Sequence, residues 1–304
     1  MFIGRGERIR TFDPLVPNQM RYQAALRPDS HILTAGLPTA LGHRSIFHLP
    51  VISRFHMPTP PPLAWLDPGK HFPDVMQAWP TDSDAPGLLA AGGSLDVASL
   101  LRAYAHGIFP WYSQGQPILW WSTDPRMVLD TKRFVLHRSL KKTIQRFRAD
   151  ARCEIRIDSA FDRVIESCAH SERRGQSGTW IVPEMVAAYQ ALHRAGHAHS
   201  VETWVDGELV GGLYCVSLGQ AVFGESMFAR RSDASKLALA ALVAFCRAQG
   251  VAMIDCQQNT AHLSSLGATE TPRSVFLSTV SRAMTQTAPA WRFEPLYWTH
   301  LLDT

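Results

Sequence analysis

Two short segments of the sequence set acid–base side chains among residues of strand character. One is 222–228, VFGESMF, with Glu225 at its centre; the other is 253–257, MIDCQ, which ends in Asp255, Cys256 and Gln257. A carboxylate in apolar surroundings either finds a partner or has its pKa raised by loss of solvent. Strand alternation sets Glu225 on the face opposite Gly224 and Ser226. It also sets Asp255 and Gln257 on one shared face, at the C-terminal end of a strand, where open α/β sheets hold ligands. Groups so placed can position a reacting atom and take or give its proton. The same residues equally read as a glutamate bonded to a neighbouring element, a capping aspartate and a surface amide. His262 reads as a loop or capping histidine.

Tryptophans form a second set: Trp111 in GIFPWY, Trp120 and Trp121 in ILWWS, and Trp180 in GTWI. Indole rings fill cores or stack on bases. Gly107 and Gly178 put two of these clusters on turns, where ligand contact is commoner; Trp120 is assigned to the core. Arg138, Lys141, Lys142, Arg146 and Arg148 fall on one helical segment and largely on one side of it, a pattern that grips phosphates or simply faces water. With a formal charge of +4 and a pI near 8.9, the chain admits an anionic partner without the surplus of a nucleic-acid coat protein.

Other chemistries find no support. His197 and His199 would share a face, but no further ligand lies near them, and no metal site is predicted. P-loop, dinucleotide and G-x-S-x-G motifs are missing, which disfavours ATP-driven reactions and Rossmann redox chemistry. The five cysteines are scattered, with no C-x-x-C pair, and suit a reducing compartment. The longest apolar run, 237–246, is too short to span a bilayer, and Arg5, Glu7, Arg8 and Arg10 stand where a signal peptide needs apolar residues. A soluble, cytoplasmic protein is expected.

The elements that must position these groups follow from the pattern of the chain. Residues 1–56 are rich in Arg and Pro, lack Lys and show no period, so no packed domain is expected there. Part of that stretch, GRGERIRTFDP, resembles a tRNA gene translated in an unintended frame, and Met57 offers another start; the extension is expected to be disordered or misassigned. A small N-terminal α/β domain is expected over 57–130, with Ser94 capping a helix that ends near Gly107 and with short strands at 108–112 and 118–122. Over 131–304 the chain alternates helices at 136–148, 160–170 and 183–195 with strands at 200–205, 208–216 and 220–226. Asp206-Gly207 makes the first hairpin turn. A long apolar helix at 235–249, a buried strand at 252–256 and a helix at 272–285 complete an α+β fold with a mixed sheet. This order is the one used by the N-acetyltransferase (GNAT) superfamily.

GIFPWY, PILWWSTDPR, GTWI, GHAHSVE, LVGG, FGESMF, ASK, IDCQ and HLSSLGA together, in order and spacing, resemble the bacterial leucyl/phenylalanyl-tRNA-protein transferases over about 72–276. The resemblance implies a small domain joined to a GNAT-type catalytic domain. It implies transfer of Leu, Phe or Met from aminoacyl-tRNA to proteins beginning with Arg or Lys, marking them for degradation through the N-end rule, by a monomer that needs no cofactor. It also implies roles for residues: Trp111 and Trp180 on the 3′-terminal adenosine, and Glu225, Asp255 and Gln257 around the reacting ester. Leu213, Val222, Met227, Leu239, Leu242 and Ile254 would line the pocket for the amino-acid side chain. Arg138, Lys141, Lys142 and Arg146 would contact the tRNA backbone. Thr123 stands where the family usually has proline, and Val222 and Leu242 are aliphatic where some members carry aromatics, which leaves the Leu-versus-Phe preference open. An acetyl-CoA enzyme of the same fold would need a glycine-bearing loop before the helix at 235, and 230–236 contains none.

Overall fold

The structure, a computed structural model, describes residues 62–171 and 181–303. The extension 1–56 and the Gly178-Thr179-Trp180 turn lie outside the described residues. The described part opens with β1 (Ala64–Leu66), β2 (Leu88–Gly92), α1 (Val97–Ala105), β3 (Phe109–Pro110) and β4 (Leu119–Trp121). These strands make a small sheet in the order β1-β2-β4-β3. Asp96, not Ser94, caps α1: its carboxylate accepts the Ser99 N–H at 2.8 Å, while the Ser94 hydroxyl donates to the same carboxylate. A carboxylate two residues nearer the helix completes the cap more directly.

The chain continues through β5 (Arg126–Asp130), α2 (Arg138–Ala149), β6 (Cys153–Ile157), α3 (Phe161–Ala169), α4 (Pro183–Arg194), β7 (Ala198–Val205), β8 (Glu208–Leu218) and β9 (Ala221–Ala229). Then come α5 (Ala234–Ala248), β10 (Met253–Gln257), α6 (Ala261–Ser265), β11 (Thr269–Thr271), α7 (Arg273–Met284) and α8 (Thr299–Leu302). Seven of the described strands form one mixed sheet, β11-β5-β10-β9-β8-β7-β6, in which the β9–β10 pair is parallel and the other pairs antiparallel. Asp206 and Gly207 turn the β7–β8 hairpin with φ of 54° and 74°, as a type I′ turn requires.

Alternate residues of one strand serve different cores. Met127 and Leu129 of β5 pack with α2 and α5, whereas Val128 packs with the cluster that also holds α3, α4 and the small sheet. Helix α5 is buried from Leu237 through Cys246, as a helix apolar on all sides must be. The small sheet ends at Trp121 and the large sheet begins at Arg126, so the change of sheet falls a few residues ahead of the division expected after 130. Strand β5 carries no period-2 signal strong enough to separate it from the preceding aromatic segment.

Candidate active site

Two neighbouring irregularities of the large sheet build the site. In the β8–β9 pair, Tyr214 faces Ser226 and Cys215 faces Gly224, which leaves Glu225 with no residue opposite. In the β10–β5 pair, Asp255 faces Val128 and Gln257 faces Met127, which leaves out Cys256. Such bulges re-aim side chains and end regular pairing. The parallel pairing of β9 with β10 holds at Val222↔Ile254 and Phe223↔Asp255; beyond it β9 follows β8 while β10 follows β5. Across this parting, Gln257 Nε2 donates to Glu225 Oε1 at 3.1 Å.

Simple alternation does not carry through β10. Gln257 has a φ of 55°, and its backbone N–H donates to Asp255 Oδ1 at 2.9 Å. The two residues are linked by that hydrogen bond and not by two side chains standing on one regular face, because the bulge at Cys256 breaks the period between them.

Glu225 is half-buried within a ring of hydroxyl donors. Tyr104 of α1 donates to Oε1 at 2.7 Å, Tyr189 of α4 donates to Oε2 at 3.1 Å, and the two phenol oxygens lie 2.5 Å apart. Both tyrosines are fully buried. Burial pushes the Glu225 carboxyl up to about 8, against the opposing effect of the two tyrosine hydrogen bonds. Burial first, and then the Glu225 charge, push both phenols well above their ordinary range, so they act as hydrogen-bond donors and not as anions. Neither tyrosine was singled out by the sequence, where each reads as an apolar position on a helix face.

Asp255 is wholly buried and lies in a bidentate ion pair with Arg126, which is equally buried: Nε to Oδ1 is 2.8 Å and Nη2 to Oδ2 is 2.7 Å. Arg126 Nη1 also donates to the Gly107 carbonyl at 3.1 Å, and its guanidinium lies 4.7 Å from the ring centroids of both Phe109 and Phe276. Asp255 therefore faces inward and reaches the open side of the site only through Gln257. Thr123, the residue that departs from the usual proline, donates through its hydroxyl to the Gln257 carbonyl at 3.0 Å.

Comparison with known proteins places these features in a family. Residues 128–281 match the family described as leucyl/phenylalanyl-tRNA protein transferase, and residues 93–124 match its N-terminal domain. A leucyl/phenylalanyl-tRNA–protein transferase of Albidiferax ferrireducens is 64% identical over 243 residues, 80% of this chain and 96% of the relative. Relatives of the same name from a Polaromonas species and from Ralstonia pickettii are 61% and 56% identical, over 80% and 76% of this chain and 95% and 94% of their own lengths. This chain belongs to the leucyl/phenylalanyl-tRNA protein transferase family. It is accordingly an enzyme, an aminoacyltransferase.

Other residues expected to serve the transferase fall into three groups. Leu213, Val222, Leu239, Leu242 and Ile254 belong to one large buried apolar cluster, with the half-buried Met227 packed against it; Val222 pairs with Ile254 and Leu213 with Met227 across the sheet. Trp111 is half-buried on Trp121, at 5.4 Å between rings, and its carbonyl accepts the Trp121 indole N–H at 2.6 Å. Trp180 lies outside the described residues. Trp120 is a core residue, 1% exposed, donating to the Gly92 carbonyl. On α2, Arg138, Lys142 and Arg146 are exposed. Lys141 is engaged otherwise: its Nζ donates to the Leu302 carbonyl at 2.8 Å at the end of α8, because residue 141 lies on the side of α2 turned towards the packed C-terminal turn.

His199 is not poised as a ligand but pairs with Asp158 at 2.7 Å and stacks on Trp291. Among the described residues no group of three or more His, Cys, Asp or Glu is placed to hold a metal ion. None of their helices is long and apolar enough to cross a membrane. Before α5, Asp233 occupies the cap with a φ of 64°, bridged by Lys236 at 3.1 Å. A carboxylate there opposes a pyrophosphate at the helix N-terminus.

Proposed function

We propose that this transferase moves Leu or Phe, and also Met, from aminoacyl-tRNA to the N-terminal Arg or Lys of acceptor proteins, at the parting of β9 and β10. The observation that carries this reading is the Gln257–Glu225 hydrogen bond across that parting, with buried tyrosines behind Glu225 and the apolar cluster of Leu213, Val222, Leu239, Leu242 and Ile254 beside it. A meander, a buried helix and a parallel strand splayed from its neighbour support a GNAT-like catalytic domain.

The aminoacyl ester already stores the free energy for an amide, so the protein has to place the amine, take its proton and stabilise the oxyanion. The acceptor's α-amine nitrogen attacks the ester carbonyl carbon, a C–N bond forms, and the C–O bond to the ribose breaks. The proton lost by nitrogen passes to the Glu225 carboxylate and from there to the departing ribose oxygen. A group with a pKa near 8 is matched to an α-amine with a pKa of about 7.7–8.0, so the exchange between them is nearly balanced. Gln257 fixes one carboxylate oxygen. Asp255 acts behind Gln257 and not on the substrate, because its two oxygens are occupied by Arg126 and the Gln257 backbone.

Around this centre, Trp111 and Trp180 stack on the 3′-terminal adenosine, and Arg138, Lys142 and Arg146 meet the tRNA backbone. The enzyme acts in the cytoplasm as a monomer and marks its products for degradation through the N-end rule. Incubation with radiolabelled Leu-tRNA and an Arg-initiated peptide, with acetyl-CoA as the alternative donor, tests the assignment. Label entering the peptide from Leu-tRNA alone is expected; acetylation of the peptide with no aminoacyl transfer would overturn it.

A further inference from the structure

We infer that Arg126 is the positioning residue of this active site, because one buried guanidinium sets both hydrogen-bond arms that converge on Glu225 Oε1. The inference rests on the transfer mechanism above and adds a residue to which that mechanism gives no task. Arg126 lies on β5 and joins elements that are distant in sequence. In the first arm its fork holds both oxygens of Asp255, Asp255 Oδ1 accepts the Gln257 backbone N–H, and Gln257 Nε2 reaches Glu225 Oε1. In the second arm its Nη1 holds the Gly107 carbonyl. The Gly107 N–H in turn donates to the Tyr104 carbonyl at 3.0 Å, and the Tyr104 hydroxyl reaches the same Glu225 oxygen.

The turn at Gly107 has a φ of 68°, a conformation that side chains other than glycine's rarely adopt, and it packs against Leu277 and Phe276 of α7. The Phe109 and Phe276 rings both lie 4.7 Å from the guanidinium carbon and pack against it. A structural ion pair needs only charge and burial, whereas this one uses three donors in two directions, a task for the rigid fork of arginine that a lysine cannot reproduce. The field at Glu225 is set by Tyr104 on α1, Tyr189 on α4, Asp255 on β10 and Arg126 itself; Cys215 of β8 interacts electrostatically with Glu225, and Arg273 of α7 with Arg126. Asp255 makes the Glu225 proton harder to lose and Arg126 makes it easier.

Arg126→Lys and Arg126→Met, each checked for native circular dichroism, test the inference, alone and combined with Glu225→Gln. Arg126→Lys is expected to lower kcat by about 10- to 100-fold with KM for Leu-tRNA within about twofold, as loss of a group acting in the transition state does. In the Glu225→Gln background the same change should alter kcat by less than about threefold, because the arms then have no carboxylate to place. Arg126→Met should also move the acid limb of the kcat profile to higher pH by about half a unit or more; if it does not fold, the lysine variant decides. Folded Arg126→Lys with wild-type kcat, or with an equal loss in both backgrounds, would overturn the inference. Wild-type enzyme that transfers no label would remove the underlying mechanism instead, a result separate from either.

Discussion

Glu225→Gln should make the protein slower and more stable, and the gain in stability should depend on pH. The Glu225 carboxyl is displaced from its ordinary 4.5 to about 8, chiefly by burial. Between those values the folded chain keeps a proton that the unfolded chain has released, so wild-type stability falls as pH rises through this window. At about 1.4 kcal/mol per pH unit the whole span is on the order of 5 kcal/mol; the solvent contact that Glu225 retains reduces the usable figure to ~2 kcal/mol. Glutamine does not ionise and still offers Tyr104 a carbonyl oxygen, so it escapes that loss. For a protein of this size ~1 kcal/mol moves Tm by about 2–4 °C. Thermal melts of the two proteins across pH 4.5 to 8.5 should therefore coincide at the acid end and separate by about 4–8 °C at pH 8, with the variant higher. The kcat of the variant should be ~10²-fold lower. An offset that is constant with pH, or a wild type that is the more stable at pH 8, would refute the account of Glu225.

Three further outcomes follow from the geometry. Asp255→Asn should depress kcat far more than tRNA affinity; it should also lower the urea midpoint, since a buried cation left without its anion costs about 3–5 kcal/mol, and equal losses in kcat and affinity would contradict a role behind Gln257. Replacing Arg138, Lys142 and Arg146 together by Ala should weaken tRNA binding and flatten the plot of log affinity against log salt by about two charges, whereas Lys141→Ala should lower Tm through its lost bond to the Leu302 carbonyl and leave that slope unchanged. Leu242→Ala, at a position 1% exposed, should cost about 2–5 kcal/mol of stability and raise transfer of Phe relative to Leu, read by competition between the two charged tRNAs.

The regular parts of the fold were legible because they obey one period at a time. The β7–β8 hairpin announces itself through Asp206-Gly207, and α5 through an unbroken apolar run closed by Arg247. Short edge and linking strands were not. β11, at three residues, is too short to display alternation; β6 does alternate, as CEIRI, but is a single short segment between two helices; and β5 lies within five residues of the aromatic β4, where its own alternation is masked. The three polar residues of the site were legible as chemistry among apolar neighbours. Their partners were not, since Tyr189, Tyr104 and Arg126 lie 36, 121 and 129 positions from the carboxylates they serve. Lys141 shows the converse: it looks like its neighbours on the basic helix and is separated from them only by what α8 brings against it.

A wholly buried glutamate in the same sheet shows by contrast what favours Glu225 as the proposed site. Glu202 on β7 is completely buried, and its two oxygens accept from the Ala160 backbone N–H at the start of α3, the Ser159 and Ser200 hydroxyls and the Trp204 indole. Those four donors match the roughly four acceptor sites of an ionised carboxylate. Glu202 has no capacity left, and its work is to start a helix. Glu225 stands at a bulge, keeps contact with solvent and, among the described residues, has three side-chain donors, two on Oε1 and Tyr189 on Oε2. Among the described residues Oε2 has the fewer donors, and it is the oxygen that neither arm from Arg126 reaches. In the proposed mechanism, an acceptor amine donating an N–H to that oxygen would complete the carboxylate's shell, so the donors that hold Glu225 would also favour the side from which the amine approaches the ester.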